Sequence, residues 1–107
     1  MSENRQHERH QISLEVQVLI EERTYVAQSR DLSIGGMRVE LDDSAPMLRT
    51  GMRVEVAFRI PELPNEIRVP AAVRWTDRVD DRMGGIQFLR GLRAFEVWAI
   101  ERMRRTG

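Results

Sequence analysis

The sequence predicts a mainly β domain, a small antiparallel barrel or sandwich followed by one α-helix. Three observations predict it. Six short stretches alternate apolar and polar residues with period two, each bounded by turn-forming residues. The pattern then switches once, near Leu92, to a spacing of three and four. The chain has 107 residues, enough for one modest core and one domain.

The elements follow in order. Residues 1–11 are polar, include Arg5, His7, Arg9 and His10, and read as a mobile arm ahead of a single domain over 12–107. In "ISLEVQVLI" (12–20), Ile12, Leu14, Val16, Val18 and Ile20 alternate with Ser13, Glu15 and Gln17, a half-buried strand. After the polar break "EER", "TYVAQSR" (24–30) completes a hairpin. Beyond "DLSIGG", Met37, Val39 and Leu41 alternate with Arg38 and Glu40 as a third strand, and "DDSAP" is turn chemistry. "MRVEVAFRI" (52–60) puts Val54, Val56, Phe58 and Ile60 on one face, and Pro61 and Pro64 close it. "IRVPAAVRW" (67–75) carries Ile67, Val69, Ala71, Val73 and Trp75 in phase, with Pro70 pointing outward at an edge or bulge. "GGIQFL" (84–89) is a sixth, shorter strand. From about 92 to 105, Leu92, Phe95, Trp98, Ala99 and Met103 mark an amphipathic helix. It is expected to cover an open end or seam, with Leu92, Phe95 and Trp98 completing the core. Arg102, Arg104 and Arg105 suit the negative end of its dipole.

Composition removes several functions. There is no cysteine, which excludes disulfides, thiol catalysis and thiolate metal sites. The N-terminal stretch has no apolar core and no apolar run approaches a membrane span, so the chain reads as cytoplasmic with no membrane partner. Net charge is zero and the strands offer no aromatic stacking platform, which argues against nucleic acid. No serine sits in a G-x-S-x-G setting and both histidines lie in the arm, so an enzyme is not expected. His7 and His10 lack a third ligand for a metal. The glycine pairs Gly35–Gly36 and Gly84–Gly85 have neither dinucleotide-fold nor Walker spacing. Asp42, Asp43, Asp80 and Asp81 read as ordinary turn residues.

Two patterns remain. All 17 basic residues are Arg, so an R-x-x-x-R spacing arises easily, as at Arg49/Arg53, Arg74/Arg78 and Arg78/Arg82. Arg5 and Arg9 differ because a polar arm gives them no structural work. Asp31, Ser33 and Gly36 form D-x-S-x-x-G, which occurs once. The plain reading is an Asx or Ser turn with a glycine at positive φ before a strand. That explains any one of these residues more comfortably than all of them together.

An R-x-x-x-R arm before the first strand and D-x-S-x-x-G about two strands later resemble the PilZ domain family. "GMRVEVAFRIPELP", "VRW" (73–75) and "GIQF" (85–88) are similar to the family's later strands, in the right order, so the resemblance runs from about Arg5 to Phe88. It implies a six-stranded antiparallel PilZ-type β-barrel with a C-terminal helix that binds the bacterial second messenger cyclic di-GMP. It implies that Arg5 and Arg9 wrap the ligand while Asp31, Ser33 and Gly36, with Gly35, form the barrel half of the site. The chain has Gln6 where a second adjacent Arg is common in the family. The chemistry suits this ligand: Arg forks onto guanine O6 and N7, stacks on a base or pairs with phosphate. An ionised Asp31 accepts from guanine N1–H and N2–H₂. No cofactor beyond this ligand is implied. A downstream effector protein is the expected partner, with dimerisation left open. The alternative is a ligand-independent protein–protein adaptor with the same fold.

Overall fold

A computed structural model describes residues 14–106 apart from 62 and 81, and the side chains of 104–106 are outside that description. Six strands and one helix follow in chain order: β1 (Leu14–Ile20), β2 (Arg23–Leu32), β3 (Gly36–Leu41), β4 (Arg53–Phe58), β5 (Ile67–Thr76), β6 (Met83–Phe88) and α1 (Ala94–Thr106). The strands close into a barrel in the order β1-β2-β3-β6-β5-β4, with β4 returning to β1 and every pair antiparallel. The barrel, and not the sandwich, is therefore the architecture. Closure leaves no strand of the sheet as a free edge.

The alternation read from sequence is the barrel's inside and outside. Val16, Val18, Val39, Leu41, Val54, Val56, Phe58, Ile67, Val69, Ala71 and Val73 are all buried in one core cluster. Phe58 and Phe88 stack within it, their ring centroids 6.2 Å apart. Ile60 lies past the end of β4 yet is buried, and Ala45 and Leu48 in the β3–β4 connection join the same core. Pro70 sits where the β5–β6 register begins only at Ala71, so β4 alone runs beside it as a ladder. That is a position where a missing N–H is tolerated.

The β1–β2 hairpin turns through Glu21 and Glu22 alone, since Ile20 pairs with Arg23. Both turn residues are left-handed, with φ of 49° and 72°. A two-residue hairpin wants this geometry, but it favours Asn-Gly over two glutamates.

The helix departs from expectation in which face it buries. Ala99 and Ile100 are fully buried, Glu96 is buried, and Leu92 and Met103 pack partly against the core. Phe95 and Trp98, expected inside, are 51% and 55% exposed. The reason lies at the helix start. Arg93 N–H donates to the Glu96 carboxylate at 2.9 Å, and the first helical bond runs from Val97 N–H to Arg93 C=O. This is half of a capping box, with Glu96 folded back over the first turn. The stripe through Glu96, Ala99, Ile100 and Met103 also has spacing three and four. Burying Ile100 alone stabilises the docking by roughly 1.5–3 kcal/mol. Arg102 lies over the Trp98 ring, 5.4 Å from its centroid, on the outer face.

Candidate functional site

Two β-bulges set the site. In β2, Ser29 pairs with Val39 and Asp31 with Arg38, so Arg30 is an extra residue. In β5, Val73 pairs with Ile86 and Trp75 with Gly85, so Arg74 is extra. An extra residue inverts the inside–outside alternation beyond it. Past the first bulge, Asp31 turns outward and Leu32 inward. Past the second, Trp75 turns outward, although in unbroken alternation it would share the inward phase of Val73. Trp75 is 45% exposed. The expectation that the strands carry no aromatic platform is therefore corrected: the bulge at Arg74 puts one on the outer surface.

The two bulges feed one row. Asp31 on β2 faces Arg38 on β3, Arg38 faces Gly85 on β6, and Gly85 faces Trp75 on β5. Directly opposed residues share a sheet face, and four strands span about 14 Å at the usual strand spacing. Gly85 gives the row its shape. A Cβ there would overlap Trp75 Nε1 and lie 2.5 Å from Cε2 and 2.8 Å from Cδ1. The indole therefore rests on the Gly85 backbone.

The β2–β3 turn separates the motif residues by role. Ser33 N–H donates to Gly36 C=O at 2.9 Å, and its hydroxyl donates to the same oxygen at 3.2 Å. The hydroxyl also accepts from Gly35 N–H at 3.3 Å. Ser33 thus staples the turn. Gly36 is a packing residue: a Cβ would run into the Ile86 carbonyl oxygen on β6. Neither Gly35 nor Gly36 has positive φ, so left-handed freedom is not what the turn demands of them. Gly35 has open space where a Cβ would stand, and its carbonyl accepts from Phe88 N–H at 2.9 Å. Close approach by a ligand therefore suits Gly35 and not Gly36.

Asp31 is the residue the turn does not use. Among the described residues its carboxylate has no hydrogen-bond partner, and its closest charged partner there is Arg38, with 3.7 Å between Oδ2 and a guanidinium nitrogen. Other aspartates in this chain behave differently. Asp42 Oδ1 accepts from Ser44 Oγ at 2.6 Å and Ser44 N–H at 3.0 Å. These bonds, the hydroxyl's first, hold the Asp42 carboxyl below its usual range. Asp77 accepts from Val79 and Asp80 N–H and is lowered for the same kind of reason, with the Asp80 bond the larger cause. Asp80 accepts from Arg82 N–H at 3.0 Å. The turn reading holds for Asp42 and Asp80, while Asp43 has no comparable bond to set beside them and Asp81 lies outside the described residues. It fails for Asp31, whose side chain is 42% exposed.

Arg5 and Arg9, with His7, His10 and the rest of the expected arm, lie outside the described residues. Two shallow depressions, one edged by Val26, Gln28 and Glu40 and one by Glu15, Arg59 and Glu66, lie away from the row. Among the described residues no three His, Cys, Asp or Glu side chains group to hold a metal, and no helix is long and apolar enough to cross a membrane.

A sequence model of the PilZ domain matches residues 3–97, which takes in the stretch before β1, the barrel and the first turn of α1. The chain belongs to the PilZ domain family. No curated protein matches it. Among solved structures, this PilZ domain is similar to the Bacillus subtilis inhibitor of motility MotI/DgrA, at 24% identity and a TM-score of 0.66. The match covers 89% of this chain and 49% of that one, so the chain spans about half the length of that protein. It is also similar to the PilZ domain of CeSA from a cellulose-synthesizing bacterium, at 17% identity and a TM-score of 0.58, covering 89% of this chain and 92% of that one. At these identities the likeness shows the fold.

Of the residues the sequence of this PilZ domain singles out, Ser33 and Gly35 lie in the β2–β3 turn, Asp31 stands in β2 and Gly36 opens β3, while Arg5 and Arg9 lie outside the described residues. Sequence reading does not single out Arg38 and Trp75, which the strand pairing places in one row with Asp31 and Gly85. Both look like strand residues in strict alternation, and only the pairing partners reveal the row.

Proposed function

We propose that this PilZ domain is a cyclic di-GMP receptor. The observation that carries the reading is Asp31. A bulge delivers it to the outer surface, the turn beside it is already held by Ser33, and among the described residues its carboxylate is committed to no hydrogen bond. An acceptor-only carboxylate in that state suits the guanine edge, which offers N1–H and N2–H₂ together. Trp75 adds a flat face at the other end of the row for a base, and Gly35 leaves the backbone approachable. Arg5 and Arg9 close over the ligand from the arm, taking guanine O6 and N7 or phosphate. Ordering of that arm passes the signal to an effector protein.

The test is isothermal titration of cyclic di-GMP into the parent and into Arg5→Ala/Arg9→Ala. The parent binds and the control does not. Asp31→Ala loses a charged hydrogen-bonding group, about 1.5–3 kcal/mol, and binds tenfold to a hundredfold more weakly. It also discriminates less against cyclic di-AMP, which lacks the guanine edge. Unchanged selectivity in that variant refutes the edge-reading role.

The second reading, a ligand-independent adaptor, draws on Phe95 and Trp98, which leave an aromatic face of α1 open to another protein. Melting with and without nucleotide separates the two. A receptor gains Tm as ligand is raised, whereas an adaptor's Tm is indifferent to it.

A further inference from the structure

We infer that Arg38 is a ligand-binding residue, parked on Asp31 in the free protein and turned onto the phosphate ring of the bound cyclic dinucleotide. This rests on the receptor reading above.

Three observations lead to it. First, Arg38 is poorly used by the fold. Among the described residues its one ion pair, to Asp31, is long at 3.7 Å, and its Nε is buried with no hydrogen-bond partner there. Three other strand arginines are better engaged: Arg30 meets Glu40 at 2.9 Å, Arg68 meets Glu55 at 3.0 Å and Glu66 at 2.7 Å, and Arg74 meets Gln87 at 2.6 Å, while Arg82 shares the buried, unpartnered Nε but lies off the row. A guanidinium left this short of acceptors is one that gains by meeting an anion.

Second, Arg38 occupies the middle of the row. Asp31 stands on one side of it, and Gly85 with the overlying Trp75 stands on the other. In a cyclic dinucleotide the two bases are joined through the sugar–phosphate ring. A ligand with one base edge at Asp31 and a base face at Trp75 therefore lays that ring across the residue between them. Arg38 is the cation that faces the ring.

Third, the exchange is balanced in charge. When the guanine edge takes the Asp31 carboxylate, Arg38 loses its partner, and the ligand's own phosphate supplies the replacement. A half-exposed ion pair of this length stabilises the free barrel by no more than about 1 kcal/mol, so releasing it is inexpensive.

The experiment is titration of cyclic di-GMP into the parent, Arg38→Ala and Arg38→Lys, with melting curves for each and phosphorus NMR of the bound ligand. Arg38→Lys keeps the stem and the charge and guards against a folding defect in the alanine variant. All three are expected to melt within a few degrees of one another. Arg38→Ala binds at least tenfold more weakly, Arg38→Lys recovers part of the loss, and the phosphorus resonance of the ligand differs between parent and Arg38→Lys. If the parent binds and Arg38→Ala binds equally well or better, Arg38 is only the counter-ion of Asp31 and the inference is wrong. An identical phosphorus resonance in parent and Arg38→Lys overturns the phosphate contact in the same way. A parent that does not bind removes the receptor reading itself, a result distinct from either of these.

Discussion

Replacing Gly85 with alanine tests whether the row works as a unit. The added Cβ would lie 2.5–2.8 Å from Cε2 and Cδ1 of Trp75, where ordinary contact begins near 3.4 Å. The indole must therefore lift or swing by about 1 Å, at an off-rotamer cost of about 0.5–1.5 kcal/mol. Because Trp75 is nearly half exposed, the ring escapes toward solvent and the barrel survives. Binding suffers more than folding. Loss of one base–aromatic stack costs about 1–3 kcal/mol, which is roughly 5- to 150-fold in Kd. The chain has two tryptophans, so Trp98→Phe leaves Trp75 as the sole indole emitter. In that background Gly85→Ala is expected to red-shift the emission and to weaken cyclic di-GMP binding at least fivefold. The effect must vanish in a Trp75→Ala background, since Gly85 acts through the ring it supports. Parent-like affinity with unshifted emission would refute the platform. So would a Gly85→Ala penalty that persists without Trp75.

Gly36→Ala drives a Cβ into the Ile86 carbonyl oxygen and is expected to destabilise by about 1–3 kcal/mol, whereas Gly35→Ala, pointing into open space, leaves Tm near the parent's; urea unfolding of both checks the contrast. Glu21→Asn/Glu22→Gly gives both left-handed turn positions residues suited to them and is expected to raise Tm by several degrees in calorimetry, about 1 kcal/mol or more. Asp42 has its carboxyl lowered in the fold, so it contributes stability that is present above its ordinary value of 3.8 and is lost as pH falls through the lower folded value. Asp42→Asn should accordingly flatten the acid limb of the stability curve below about pH 4 while leaving its slope near neutrality unchanged.

Much of the barrel was legible because each strand is half buried, so burial and alternation coincide: Val16 and Val18, Val54 and Val56, Val69 and Val73 sit inside as their spacing requires. What the spacing could not carry was the pair of bulges. A bulge is an inequality between two strands, and neither strand announces it alone. Arg30 and Arg74, the inserted residues, are unremarkable in a chain where every basic residue is arginine. Strict alternation therefore puts Trp75 inside, in phase with Val73. The helix misled for a different reason. Its most hydrophobic stripe, through Phe95 and Trp98, is not the buried one, because Glu96 turns its carboxylate back onto Arg93 N–H and is buried on the docking face. The motif was legible as a cluster, but its internal division of labour was not. Ser33 and Gly36 answer to the turn and the neighbouring strand, and Asp31 to neither.

That division bears on how the motif should be used as a diagnostic. Because Ser33 and Gly36 are demanded by the hairpin and the β3–β6 contact, selection on folding alone retains them after any ligand is abandoned. Asp31 lies on the outer surface, outside the core cluster, where exchange costs the barrel little. In a set of such chains, the serine and glycine would report kinship, and only the aspartate would report whether a receptor is still in service.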